Sequence, residues 1–154
     1  MIEGEKIYVS KAVLAVHSPV FKTMFFSDFA EKNKKEIELK DVDRKEFVEM
    51  LNLIYPSYQK ITDTNAEFLL NLADRYQVQA VINQVVQFLI ESSKFHVSKK
   101  LMLSDQYRLL KLQEHCLGRF REVEDVMNLK TSSDFKTLSD KAKIMLLLKA
   151  MSLS

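Results

Sequence analysis

Three histidines, one cysteine and a dense run of carboxylates and amines are the side chains of this 154-residue sequence that could carry chemistry. His17, His96 and His115 stand far apart. They show no His-x-x-x-His spacing, and no Cys-x-x-Cys pair exists, whereas zinc needs several such ligands converging on one point. His115 and Cys116 are adjacent, and successive residues on a helix point about 100° apart, so the two are poorly placed as base and nucleophile. A partly buried structural thiol is the simpler reading of Cys116. A phosphate-cradling loop needs several glycines close together, and the chain has only two in all. The acids fall in stretches such as EKNKKEIELKDVDRKE, alternating with lysines as on a solvated, ion-paired surface rather than as catalytic carboxylate pairs. The expectation is a protein that is not an enzyme, with no catalytic centre, metal site or cofactor.

The charge balance narrows the partners. A formal net charge of +2 gives no electrostatic case for nucleic acid or for an anionic membrane, both of which usually show a clear basic surplus. Lys32, Lys34 and Lys35 read as a solvated loop rather than a nuclear signal. A single cysteine allows no internal disulfide and fits a reducing compartment. The opening MIEGEKIYV lacks the basic and apolar segments of a signal peptide. No apolar run approaches the roughly 18 residues of a membrane span. The sequence predicts a soluble intracellular protein, of the cytoplasm, the nucleus or both.

The elements that must position any binding residues are mostly helical. Apolar residues make up 47% of the chain, enough for a core, while two glycines and two prolines are too few for a turn-rich sandwich or barrel. KIYVS and EIEL are the only convincing strands. Glu3-Gly4 reads as a hairpin turn whose first strand ends at Met1 and Ile2. Most of that strand would lie before the chain begins, as in a domain cut from something longer. SKAVLAVHSPVFKTMFF then predicts two short apolar helices end to end, with Ser18-Pro19 starting the second. Such a surface fits either a packed core or a face covered by another chain. Asp43 to Glu46 and Thr64 to Glu67 read as capping boxes before the stripes Phe47, Met50, Leu51, Ile54 and Phe68, Leu69, Leu72, Tyr76. Val81, Val85, Phe88 and Leu89 mark a further helix ending near Ile90. After a polar connection, helices are expected over 101–112, 115–120, 123–129 and 138–151. The expected division is residues 1–92 and 93–154.

In this order, IYVSKAVLAVHSPVFKTMF, EIELKDVDRKEFVEMLNLIYP and TNAEFLLNLADRYQVQAVINQVVQFL closely resemble the BTB (POZ) domain. The resemblance runs from Met1 to about Ile90. Its variety is similar to the animal adaptors that carry an upstream MATH domain, especially the nematode group, and residues 94–154 resemble a short BACK-like helical extension. The resemblance implies an α+β, mostly helical fold, a small sheet flanked by a helix cluster, and a homodimer. It implies that Leu14, Phe21, Met24 and Phe25 face inward and that the Val13 and Val16 side of the first helix meets a second copy. It further implies binding to the N-terminal region of cullin-3, because Phe29-Ala30-Glu31 falls on the hydrophobic-x-Glu motif after the Met-Phe helix, with Tyr55 on the same side. Read from the residues alone, Phe29 could instead fold back onto its own domain, Tyr55 could cover the core, and Val13 and Val16 could be ordinary core. Leu101, Leu103, Leu109 and Leu112 are expected to hold a helical pair that enlarges the cullin contact. Ser10 stands where the family usually has His, IYPS replaces the more common Tyr-Thr-Gly turn, and the first strand is nearly absent.

Two functions follow from the resemblance. One is a dimeric substrate adaptor of a cullin-3 RING ubiquitin ligase, taking its target through a domain absent from this chain. The other is a BTB homodimerisation scaffold, transcriptional or cytoskeletal, without cullin binding.

Overall fold

The computed structural model describes residues 1–27, 36–55 and 57–154. The chain forms two compact units, Met1–Val85 and Val86–Ser154.

The first unit is built on α1 (Lys11–His17), α2 (Pro19–Phe26), α3 (Arg44–Ile54), α4 (Ala66–Arg75) and the start of α5 (Gln79–Glu91). Ser18 makes the break between α1 and α2. Its amide donates to the Leu14 carbonyl at 2.9 Å, closing the first helix. Its hydroxyl accepts from the Phe21 amide at 3.0 Å, which starts the second, and donates to the Tyr76 carbonyl. Pro19 follows at the first helical position, where its missing N–H costs nothing. Phe21 then stacks on Tyr76 with ring centroids 4.7 Å apart, and Phe47 meets both rings edge-on. Leu14, Met50, Leu69, Leu70, Val78 and Val81 complete a buried core around this cluster. Leu14, Phe21 and Phe25 face inward as expected, while Met24 is half-buried.

Of the two expected caps, one is as expected and one differs. Asp43 caps α3, its carboxylate accepting from the amides of Lys45 and Glu46 at 2.8 and 3.0 Å. At α4 the N-cap is Asn65, not Thr64, and its side chain turns back into the preceding loop. There it accepts from the Thr62 amide at 2.7 Å and donates to Glu49 and to the Lys60 carbonyl. The amide side chain is worth more closing the 57–65 loop onto α3 than capping its own helix.

The small sheet is where the structure departs from expectation. Among the described residues there is no strand, only one isolated antiparallel bridge between Ile2 and Glu5. Their two mutual hydrogen bonds, each 2.9 Å, close a turn over Glu3 and Gly4. Both corner residues have positive φ, 51° and 78°, the signature of a type I′ hairpin turn. Residues 6–9 and 36–39 carry no regular secondary structure, and the main-chain bonds beside them are those of Met1 with Ile37 and Leu39.

The second unit holds the end of α5 and α6 (Val97–Gln106), α7 (Leu110–Arg119), α8 (Val123–Lys130), α9 (Ser133–Thr137) and α10 (Asp140–Leu153). α6 packs on α7 and α9, and α8 on α9 and α10. Leu101, Leu103, Leu112, Cys116, Phe120, Leu129 and Leu146 are buried between them, and Leu109 is half-buried. The helix expected over 101–112 is two helices broken at 107–109, and the one expected over 115–120 is the second half of α7. Arg108 takes a left-handed φ of 55° there. The amides of Arg108 and Leu109 return to the carbonyls of Asp105 and Ser104 at 3.3 and 2.8 Å, a Schellman ending without glycine.

Candidate interaction surfaces

α1 is short, and its two sides differ sharply. The Ser10 hydroxyl accepts from the Val13 amide at 3.3 Å and fixes where the helix begins. Leu14 then points into the core at 1% exposure, while Val16 stands 82% exposed and Val13 is half-buried. An aliphatic side chain left as open as Val16 gains little from its own fold. Tyr8, three residues before the helix, is 89% exposed.

Tyr55 closes the C-terminus of α3, its amide donating to the Leu51 carbonyl at 2.9 Å. Its phenol oxygen accepts from the Ser10 amide at 3.1 Å. The ring is half-exposed, so it neither caps the core fully nor hangs free. This bond brings two of the expected sites together: the side chain read as cullin-facing holds the N-cap of the helix read as dimer-facing. Phe29 and Glu31 lie outside the described residues.

Several exposed apolar residues were not singled out by the sequence reading. Tyr58 is fully exposed, three residues after Tyr55. On α10, Ile144, Leu147, Leu148 and Met151 recur at helical spacing and are all more than half exposed. Tyr8 was hidden by its neighbours, because IYV reads as continuously apolar and the alternation of exposure along it depends on what lies beneath.

Elements of chemistry are sparse among the described residues. No group of three or more His, Cys, Asp or Glu side chains is placed to hold a metal ion, and no helix is long and apolar enough to cross a membrane. Cys116 is fully buried. Burial pushes its thiol up to about 11, against a smaller downward pull from Lys100 and Arg119, so it holds its proton and is no nucleophile.

The BTB/POZ domain profile matches residues 1–93. The chain belongs to the BTB/POZ family. Among BTB relatives, it is 46% identical over 151 residues to BTB and MATH domain-containing protein 38 of Caenorhabditis elegans, covering 98% of this chain and 39% of the relative. It is 41% identical over 138 residues to BTB and MATH domain-containing protein 36 of the same organism, covering 90% and 43%. Kelch-like protein 40 of Xenopus laevis matches at 35% identity over 111 residues, 72% of this chain and 17% of that one. The chain thus spans about two-fifths of the length of the two nematode BTB proteins.

Proposed function

We propose that this BTB chain pairs with a second copy through the Val13 and Val16 side of α1 and binds the N-terminal region of cullin-3, serving as a substrate adaptor of a cullin-3 RING ubiquitin ligase. The observation that supports it most directly is the 82% exposure of Val16 on a helix whose Leu14 is sealed in the core. A two-fold contact must be self-complementary, and an aliphatic ridge meets itself without opposing like charges. Fully burying a valine is worth roughly 1.5–3 kcal/mol before the costs of association, so the ridge needs neighbours to make a stable pair. Tyr8 is the exposed aromatic nearest it in sequence. Cullin-3 would be held by Phe29, Glu31 and Tyr55, an apolar anchor and a carboxylate that fixes register, beside a phenol. The target protein would be taken by a separate module, and pairing would raise its effective concentration.

Calorimetric titration of the dimeric protein with the N-terminal region of cullin-3 tests this reading. Saturable binding is expected, weakened by Phe29→Ala or Glu31→Lys without change in sedimentation. A folded dimer that gives no binding would leave the second reading, a BTB homodimerisation scaffold, which the exposed α1 ridge supports equally well.

A further inference from the structure

Within the second unit, the connection after α5 and the last turns of α7 border a polar cavity of about 300 Å³. Lys100 reaches it from α6, and His115 and Arg119 reach it from α7. The last two are four residues apart, which puts them on one face of the helix. Cys116 also lines the cavity, and both Lys100 and Arg119 pull on its thiol, so the two cations lie close to one point. Like charges gathered this way repel, and the arrangement costs energy unless an anion sits among them.

The lining itself supplies little negative charge. Glu91 is its one carboxylate, and an oxygen of that group accepts from the Gln87 side chain on the same helix. Lys100 donates to the Ser93 carbonyl at 3.0 Å, which leaves it further N–H groups to give. Among the described residues, the Arg119 guanidinium and the His115 ring have no hydrogen-bond or ion-pair partner. Arg119 stands in the last turn of α7, where a cation complements the helix end, but that role asks nothing of Lys100 or His115. A second cavity shares Phe95, Val97 and Arg119 with the first and adds Lys94 and His96. Its carboxylate, Asp125, is already held by the amides of Arg121 and Glu122.

We propose that the cavity bordered by Lys100, His115 and Arg119 binds a phosphate monoester. The charge of such a group, roughly −1.5 to −2 at pH 7, offsets both cations, and its several oxygens can accept from donors on two helices. A carboxylate brings less charge and a planar pair of oxygens, which suits a single guanidinium fork better. Phe95 and Val97 continue into the second cavity, along which the body carrying the phosphate would lie. This inference is independent of cullin binding and of pairing through α1.

The test is to titrate the isotopically labelled 154-residue protein with acetyl-phosphoserine amide and, separately, with inorganic phosphate. Ionic strength is held constant with chloride, because surface charges are screened by salt. Saturable amide shifts are expected at 93–100 and 115–119, half-complete below about 10 mM. Tighter binding of acetyl-phosphoserine amide would make a phosphorylated polypeptide the source of the group, and equal or tighter binding of inorganic phosphate would make it the free ion. Acetyl-serine amide should give no shifts. Arg119→Gln should weaken binding at least about five-fold, and Arg119→Lys by less, since the charge survives without the fork. Should Arg119→Gln fail to fold, the position of the shifts in the unaltered protein decides. No saturation up to about 10 mM, shifts centred elsewhere, equal shifts with acetyl-serine amide, or undiminished affinity in Arg119→Gln would overturn the assignment.

Discussion

Ser18 ends one helix, starts the next and meets the carbonyl of Tyr76 fifty-eight residues away, all from a fully buried site. Ser18→Ala removes the cap of α2, roughly 0.5–2 kcal/mol, and leaves a buried carbonyl without its donor, roughly 1–3 kcal/mol. A loss of about 2–4 kcal/mol is expected, read as a lower urea midpoint; a shift below about 0.5 kcal/mol would mean that the hydroxyl is not structural. Cys116 makes the opposite kind of prediction. With its thiol buried and pushed up to about 11, a disulfide reagent at pH 8 should modify the native protein at least about a hundred-fold more slowly than the urea-unfolded chain. Equal rates would place the thiol at the surface. In the sequence the adjacency of His115 and Cys116 already spoke against a nucleophile. That the thiol would be fully enclosed could not be read there, because enclosure comes from the partners that α7 meets.

At the scale of the element, the missing glycines explain why the break between α6 and α7 was not expected. α4 and α6 both finish in Schellman turns, with Gln77 at φ 52° and Arg108 at φ 55° in the left-handed position that usually holds glycine. Their closing bonds, Val78 amide to Ala73 carbonyl at 2.7 Å and Leu109 amide to Ser104 carbonyl at 2.8 Å, are as sound as any in a glycine-capped helix. Without punctuation, Leu101, Leu109 and Leu112 look like one stripe. Gln77→Gly and Arg108→Gly should each stabilise the protein by roughly 0.5–1 kcal/mol, because the strained side chain is relieved by more than the added chain entropy costs. Thermal melts would show a higher midpoint, and a lower one would contradict the turn geometry. At the start of α8 the Asp125 carboxylate accepts from the amides of Arg121 and Glu122 at 2.8 and 3.1 Å, which holds its pKa below the ordinary value. A carboxyl lowered on folding contributes stability above its unfolded pKa and loses it as pH falls through the folded value. The difference in urea midpoint between the protein and Asp125→Asn should therefore be present at pH 7 and fade below about pH 4. A difference that persists unchanged at lower pH would assign the cap to something other than the ionised carboxylate.

For the whole molecule, the decisive property is which side of α1 is spoken for. Val16→Lys should leave the urea midpoint within about 0.5 kcal/mol, as expected for an exposed site, yet move the sedimentation mass toward that of a single chain. An unchanged mass would remove α1 as the pairing surface. Leu14→Lys, two residues earlier, should prevent folding altogether, since the same charge would be buried without a partner. The contrast separates an interface from a core on a helix of seven residues.

The Ser18-Pro19 break was legible in the residues, because capping chemistry is local, while the inward Leu14, Phe21 and Phe25 and the BTB character of residues 1–93 came from the resemblance that the segments carry in order. KIYVS and EIEL were read as strands, and among the described residues neither forms one. Whether two strands join depends on a third lying between them at hydrogen-bonding distance, which no property of KIYVS or EIEL encodes. The same limit governs Tyr55: its type could be read, but the bond from its phenol to the Ser10 amide joins positions forty-five residues apart. Distance along the chain is a local quantity, and burial is not. The residue types alone left Val16 as core or contact surface, and the fold decided that it lies in the open.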